Sequence, residues 1–217
     1  MSETDGFIEE VAEEVRRDRL FKLFRKWGWI PALLVIIVVG GAAWNEYRKA
    51  TIETEARKLG DAMLTALSID DSQARATALT DISTQNAAAP VLEIAKAAAL
   101  ADSGDIIGAD ALLVAVASDG DIPVVYRDLA RLKRLYLEGN GLSGSDRLAT
   151  IDALSVPGAP FRTLAAEQRG LMQAQDGDIE GALSTFTSLL NDSEATAGVV
   201  SRARQMIVVL GGSLGSG

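Results

Sequence analysis

Apolar residues between residues 46 and 210 recur at every third or fourth position, and no stretch alternates apolar and polar residues over a strand's length. Spacing of this kind is typical of helices with one buried face. Pro90, Pro123 and Pro160 fall near the starts of such segments, where proline is tolerated best. The pattern therefore predicts an all-α fold for this part of the chain. The predicted helices are 45–68, 71–84, 88–103, 105–118, 122–138, 144–155, 159–176, 178–191 and 194–210.

An uncharged segment precedes these helices. Gly28 to Trp44, "GWIPALLVIIVVGGAAW", contains no charged residue, and Trp27 extends it by one position. A helix of this length is about 26 Å long, close to the roughly 30 Å of a bilayer's hydrocarbon core. Tryptophans at both ends suit the membrane interfaces. We therefore predict a single N-terminal transmembrane helix over residues 27–44.

Two other interpretations of this segment compete with a membrane anchor. A buried core helix of this length usually carries polar residues on one side, and this segment carries none. A cleaved signal peptide would use the small residues Gly41-Ala42-Ala43, but the long acidic leader and the long apolar run do not fit one. We expect the mature protein to keep its N-terminus.

The basic residues on either side of the predicted span indicate its orientation. Those close before it are Arg16, Arg17, Arg19, Lys22, Arg25 and Lys26, and those close after it are Arg48, Lys49, Arg57 and Lys58. The excess before the span predicts that residues 1–26 form a cytoplasmic arm and that the chain after Trp44 is exported. The exported part is predicted to comprise a helical domain over 45–210 and a flexible tail over 211–217.

Two predicted joints between helices share one pattern. "GLMQAQDGDIEGALSTFTSLL" contains Asp176-Gly177-Asp178, and "AAALADSGDIIGADALLVAVA" contains Gly104-Asp105 in the same surroundings. A glycine can end one helix at positive φ, and an aspartate can cap the next. Ala182 and Ala109, four positions after each aspartate, would let the paired helices approach closely. A third "DGDI", residues 119–122, lies at another predicted joint.

The acidic joint around Gly177 could instead be a metal or phosphate loop, but the spacing of further oxygen ligands does not match a calcium loop. The chain has no cysteine and no histidine, which removes thiolate and imidazole ligands, thiol nucleophiles and the usual general base. A G-x-S-x-G pattern at Gly211 to Gly215 follows a helix and has no histidine to serve it. The carboxylate pair Asp70-Asp71 could in principle do acid–base work, but helix capping explains it more simply. We therefore predict no catalytic, cofactor or metal site, and no enzyme.

Composition narrows the classes of partner. The 217 residues are 48% hydrophobic and 24% charged, which suits one folded domain with an appendage. A net charge of −9 argues against nucleic acid, because phosphate binding needs a basic face. Membranes, proteins and small molecules remain, and without a catalytic or ligand-binding motif we expect function to lie in protein partners rather than a small-molecule substrate.

The two joints resemble the tetratricopeptide signature, a pair of antiparallel helices about 34 residues long. The first series is Gly170, Gly177-Asp178, Ala182 and Phe186, and the second is Ala97, Gly104-Asp105, Ala109 and Leu113. The predicted helix starts at 88, 122, 159 and 194 recur at intervals of about 35 residues, close to that length. The resemblance implies an α-solenoid of tetratricopeptide-like hairpins over 45–210, with a groove for segments of other proteins.

The whole layout resembles the YfgM-like family of bacterial inner-membrane proteins. The likeness rests on "GGAAWNEYRKA" at the end of the span and on "VVYRDLARLKRLYLEGN", with its leucine/arginine-rich helix from Leu129 to Leu137. It implies a single-pass inner-membrane protein with a periplasmic domain, an ancillary subunit of the Sec translocon within a chaperone network. Its partners would be translocon components, periplasmic chaperones and exported polypeptides. A scaffold for envelope-division or cell-wall machinery is the alternative, and the protein-binding residues stay unknown at this level.

Overall fold

The computed structural model describes residues 29–84 and 87–213, and the regular secondary structure of these residues is entirely helical, which confirms the all-α prediction. Contacts divide the chain into two compact units, Met1–Lys58 and Leu59–Gly217. The helices are α1 (Trp29–Leu67), α2 (Ser72–Thr80), α3 (Ala89–Asp102), α4 (Ile106–Ser118), α5 (Val124–Tyr136), α6 (Gly144–Leu154), α7 (Arg162–Gln175), α8 (Ile179–Leu190) and α9 (Ala197–Val209).

Helix α1 runs without a break through the boundary that the sequence places after Trp44. The predicted segment 27–44 and the predicted helix 45–68 therefore share one helix, because no proline lies at the boundary and Asn45, a residue type that often caps helices, stands inside the helix. Within the described part of the chain, no helix combines the length and the apolar content needed to cross a membrane. The predicted span begins at Trp27, and residues 1–28 with the predicted cytoplasmic arm lie outside the described residues.

In the second unit, helices pack in sequence order. Each helix from α2 to α8 contacts the helix that follows it. The alternate helices α3, α5, α7 and α9 also contact one another in turn and form a continuous row. Short connections between helices of similar length produce antiparallel pairs, and stacking such pairs buries a series of hydrophobic clusters between them.

The two predicted joints have the predicted geometry. Gly104 and Gly177 adopt φ of 91° and 83°, the left-handed region that glycine enters without steric cost. The Asp105 carboxylate accepts the Gly108 N–H at 2.9 Å, and the Asp178 carboxylate accepts the Gly181 N–H at the same distance. These bonds satisfy an amide at each helix start that has no partner within the helix. The interpretation of these acidic stretches as helix joints is confirmed.

The third "DGDI" also lies at a joint, between α4 and α5, but it is built differently. The Asp119 carboxylate accepts the Asp121 N–H at 2.9 Å, which turns the chain locally. Gly120, unlike Gly104 and Gly177, does not adopt a positive φ. Pro123 occupies the position before α5 and provides no side-chain cap. The same four letters therefore form two kinds of turn.

Small residues allow the paired helices to approach closely. Ala109 and Ala182 are fully buried, as the sequence predicts. Gly170 of α7 faces the ring of Phe186, which lies on α8 together with Ala182. A Cβ on Gly170 would lie 2.8 Å from the ring carbon Cζ. Phe186 is itself fully buried, in a cluster that also contains Val199 and Ala203 of α9. The glycine makes room for the ring at the centre of the α7–α8–α9 core.

The last described residues close α9 and account for part of the G-x-S-x-G pattern. Gly211 adopts φ of 80°, and its N–H donates to the Val208 carbonyl at 3.1 Å. The Gly212 N–H donates to the Ile207 carbonyl at 2.8 Å. Such bonds are typical of a glycine cap at a helix C-terminus. The predicted tail thus begins in this cap, and residues 214–217 lie outside the described residues.

Replacing Gly177 by alanine should lower the free energy of unfolding by about 1–2 kcal/mol, because an L residue is strained at positive φ. The matched control is Gly120→Ala, at a joint glycine without positive φ and with open space around its Cα. We expect Gly120→Ala to change stability by less than about 0.5 kcal/mol. Urea unfolding followed by circular dichroism measures both, and equal losses would contradict the proposed role of the positive φ.

Candidate protein-interaction surface

The row of alternate helices leaves one face of α5 and α7 only partly covered. Other faces of α5 are occupied, since Ala130 packs in a cluster with α4, and Leu132 and Leu135 pack in a cluster with α6. Residues spaced by three and four positions share one side of a helix. On α5 the remaining side comprises Val125, Leu129, Lys133 and Tyr136, and on α7 it comprises Leu164, Gln168, Leu171 and Gln175. We call these eight residues the row face.

Apolar side chains on the row face keep some contact with solvent. Val125 is 42% exposed, and Leu129, Leu164 and Leu171 are intermediate in burial. Leu164 and Leu171 also pack against the buried cluster around Phe186, which holds them in place. Partly exposed apolar side chains on a rigid core can be covered by a partner with little loss of conformational freedom.

An ion pair joins α7 to α9 beside the row face. The Glu167 carboxylate accepts two hydrogen bonds from Arg202, from Nε at 2.6 Å and from Nη2 at 2.7 Å. The Glu167 side chain is only 6% exposed, whereas the Arg202 side chain is 51% exposed. Hydrogen bonding to Glu167 raises the pKa of Arg202.

Tyr136 brings α5 into the same cluster of polar groups. Burial and the negative charge of Glu167 raise the pKa of the Tyr136 hydroxyl, while a hydrogen bond from Gln168 acts in the opposite direction. The hydroxyl therefore stays protonated at neutral pH. Tyr136, Glu167, Gln168 and Arg202, which we call the row cluster, come from three successive helices of the row.

The row cluster suits hydrogen bonding better than catalysis. A guanidinium carries five N–H donors, and Glu167 engages only two of its nitrogens. The cluster has one carboxylate, which is held in the ion pair, and its other titratable groups are the Arg202 guanidinium and the Tyr136 hydroxyl, whose raised pKa makes it a poor acid at neutral pH. In the described ranges, 29–84 and 87–213, no group of three or more acidic, histidine or cysteine residues could hold a metal ion.

The leucine/arginine-rich helix singled out by the sequence is α5, and two of its arginines are held within the fold. Arg134 donates to both oxygens of Asp110, at 2.7 and 3.1 Å, and thereby links α5 to α4. Arg131 donates to Asp128 at 2.7 Å and to the Ala117 carbonyl at 3.3 Å. These arginines stabilise the stacking of successive pairs, while Tyr136 at the end of the same helix reaches the row face.

Sequence reasoning left the binding residues unknown, and the row cluster shows why. Glu167 and Arg202 are separated by 35 residues, close to one repeat. A search for oppositely charged residues one repeat apart on the alternate helices of the row would have found this pair. The same search would also have returned charged residues that form no ion pair. Nothing in the local pattern marks Tyr136 as their neighbour.

A second acidic and basic cluster lies at the N-terminal end of α7, whereas Glu167 and Gln168 of the row cluster lie near the middle of that helix. Arg162 donates to Asp192 at 2.8 Å and to Glu194 at 2.7 Å, which ties α7 to the connection between α8 and α9. The Arg162 hydrogen bonds, followed by the Glu194 N–H at 2.9 Å, hold the pKa of Asp192 below its ordinary value. This cluster has a structural function, because its groups satisfy one another.

The lowered pKa of Asp192 predicts a pH dependence of stability. A carboxyl whose pKa is lower in the folded state contributes stability above its unfolded pKa of about 3.9, and this contribution disappears as pH falls through the folded value. The variant Asp192→Asn should therefore be less stable than the wild type at pH 7, with the difference shrinking below about pH 4. Urea unfolding at several pH values measures this, with Asp176→Asn, at an exposed helix end, as the control. A stability difference that stays constant with pH would contradict a lowered pKa for Asp192 in the folded state.

Stacked helix pairs with a continuous row of alternate helices define an α-helical repeat protein, a class that provides scaffolds for protein interaction. The chain belongs to the family described as tetratricopeptide repeat-like domain, which matches residues 22–208. This confirms the resemblance of the helix pairs to tetratricopeptide hairpins. No curated protein and no solved structure matches the chain.

Proposed function

We propose that this chain is a membrane-anchored protein-binding scaffold that holds segments of other proteins on its row face. The observation that carries the proposal is the row face itself, where partly exposed apolar side chains adjoin a charged and hydrogen-bonding cluster. Protein-binding sites combine an apolar centre with a few fixed polar groups in this way. Binding requires no metal, cofactor or catalytic step, so chelators should leave it unchanged.

The proposed anchor comprises residues 27–44, with residues 1–26 in the cytoplasm and the repeat domain in the periplasm of a bacterial cell. Its support is the uncharged run of sequence flanked by tryptophans and the excess of basic residues before it. The apolar side chains from Leu33 to Val39 are all exposed, a costly arrangement in water that lipid would cover. Extraction of the protein from membranes by alkaline carbonate would contradict an integral anchor.

The proposed partners are components of the Sec translocon, periplasmic chaperones and exported polypeptides. This part of the proposal rests on the resemblance of the whole layout to the YfgM-like family. The competing function is a scaffold for envelope-division or cell-wall machinery, which would use the same fold and the same anchor. The two differ only in the proteins that are bound.

Affinity purification from detergent-solubilised membranes distinguishes these functions. Recovery of translocon components supports the first, and recovery of cell-wall or division enzymes supports the second. Val125→Asp places a charge on the row face and should abolish recovery of the partner. Val156→Asp, at an exposed valine between α6 and α7, is the matched control and should not. Equal recovery with both variants would contradict binding at the row face.

A further inference from the structure

We propose that the row cluster binds main-chain carbonyl groups of an extended, internal client segment, an inference that rests on the proposed function. Tyr136 and Arg202 would act as the donors, and Glu167 as the residue that positions Arg202. The client would lie along α5 and α7 with its main chain at the cluster and its apolar side chains against the row face. This ligand class differs from a free chain terminus, which would present a carboxylate.

The supply of hydrogen-bond donors is the first argument. Glu167 fixes the Arg202 side chain through Nε and Nη2, and the remaining N–H groups of a half-exposed guanidinium can reach a partner. The Tyr136 side chain is 48% exposed and its hydroxyl is protonated, so the hydroxyl can donate as well. Carbonyl oxygens accept such bonds, and every residue of an extended segment carries one.

The charge of the cluster favours a neutral acceptor over a carboxylate. The Glu167 charge offsets that of Arg202 at hydrogen-bond distance, so the pair has no net charge. The Glu167 carboxylate raises the pKa of the Tyr136 hydroxyl more than Arg202 lowers it, so the net electrostatic effect of the pair on this donor is that of a negative charge. Lys133, one turn before Tyr136 on α5, is the one group of the row face that would attract a carboxylate. The partly exposed Lys133 ammonium is screened by solvent and salt, whereas Glu167 is buried beside the donors.

The dimensions of the row face set the length of the client. From Val125 to Tyr136 the face extends about 16 Å along α5, because an α-helix rises 1.5 Å per residue. An extended chain covers that distance with about five residues at 3.3 Å each. Alternate side chains of such a segment would point toward the helices, where Val125, Leu129 and Leu171 offer apolar contacts.

Peptide binding to the full-length protein in lipid nanodiscs tests the inference. The probe is an uncharged ten-residue peptide of alternating leucine and serine with a fluorescent N-terminal label, prepared with a C-terminal amide and with a free carboxylate. We expect the two forms to bind with Kd values within about twofold. Replacing one central carbonyl oxygen by sulfur, a poorer acceptor, should weaken binding, and Tyr136→Phe should weaken it about fivefold, the loss of one hydrogen bond. Tyr126→Phe removes a hydroxyl from the same helix at a residue packed against the α4–α5 core and should have no effect.

Tighter binding of the free-carboxylate peptide by tenfold or more, removed by Lys133→Met, would overturn the inference and identify a carboxylate site. Failure of both peptides to bind would overturn it as well. Either result leaves the proposed function standing if partner recovery from membranes still depends on Val125. Loss of that dependence would instead remove the proposed function.

Discussion

Replacing Phe186 by alanine is expected to lower the free energy of unfolding by about 3–5 kcal/mol, the range found when a buried aromatic side chain is truncated. Phe186 is the largest of the fully buried side chains in the described residues, and it contacts the core shared by α7, α8 and α9. Its ring lies against the backbone of Gly170, which has no side chain that could move into the cavity. Urea unfolding followed by circular dichroism measures the loss.

A reciprocal substitution tests the fit between Phe186 and Gly170. Gly170→Ala alone should be destabilising, because its Cβ would lie 2.8 Å from Cζ of Phe186. In the α3–α4 pair, the corresponding residues are Ala97 and Leu113, which share one buried cluster. The double variant Gly170→Ala, Phe186→Leu reproduces that combination and should be more stable than the sum of its single changes predicts. Strictly additive losses would contradict complementary packing of the two residues.

Sequence reasoning predicted the joints and the close-packed positions because the forces that form them act within a few residues. A glycine that must adopt positive φ and an aspartate that caps the third amide after it are visible as a short motif. Ala109 and Ala182 follow from that motif, since the helix that it starts has a fixed repeat. The joint at Gly120 carries the same motif but forms a different turn, because a proline follows the motif there.

The candidate site could not be predicted in the same way, because its partners come from different helix pairs. Glu167 and Arg202 lie 35 residues apart, and Arg134 and Asp110 lie 24 residues apart. By helical spacing alone, all four side chains count as ordinary solvated charges. The stacking of α5, α7 and α9 buries Glu167 and leaves Arg202 half exposed, and this difference decides which charge can meet a partner. The fold was therefore predictable from local patterns, whereas the site depends on how pairs stack.

The proposed membrane tether leads to a prediction about binding in cells. Deleting residues 28–44, while the repeat domain is exported by a cleavable signal, should lower recovery of a membrane-bound partner by about a hundredfold or more, the effect of losing a high effective concentration. The contacts on the row face remain, so the isolated interaction should persist when both proteins are concentrated in solution. Chemical cross-linking in intact cells and binding at high protein concentration measure the two conditions. Partner levels and the amount of exported domain must match the wild type.

Replacing residues 28–44 by an unrelated membrane span separates tethering from direct contact. If the anchor only confines the domain to the membrane, any span of similar length restores partner recovery, because effective concentration depends on the distance between the sites and not on the identity of the tether. If the span itself contacts the partner, the unrelated span fails, and the deletion weakens binding equally in cells and in concentrated solution. That result would move the decisive contact from the row face into the bilayer, where packing of apolar side chains and small residues such as Gly40 and Gly41 would govern it.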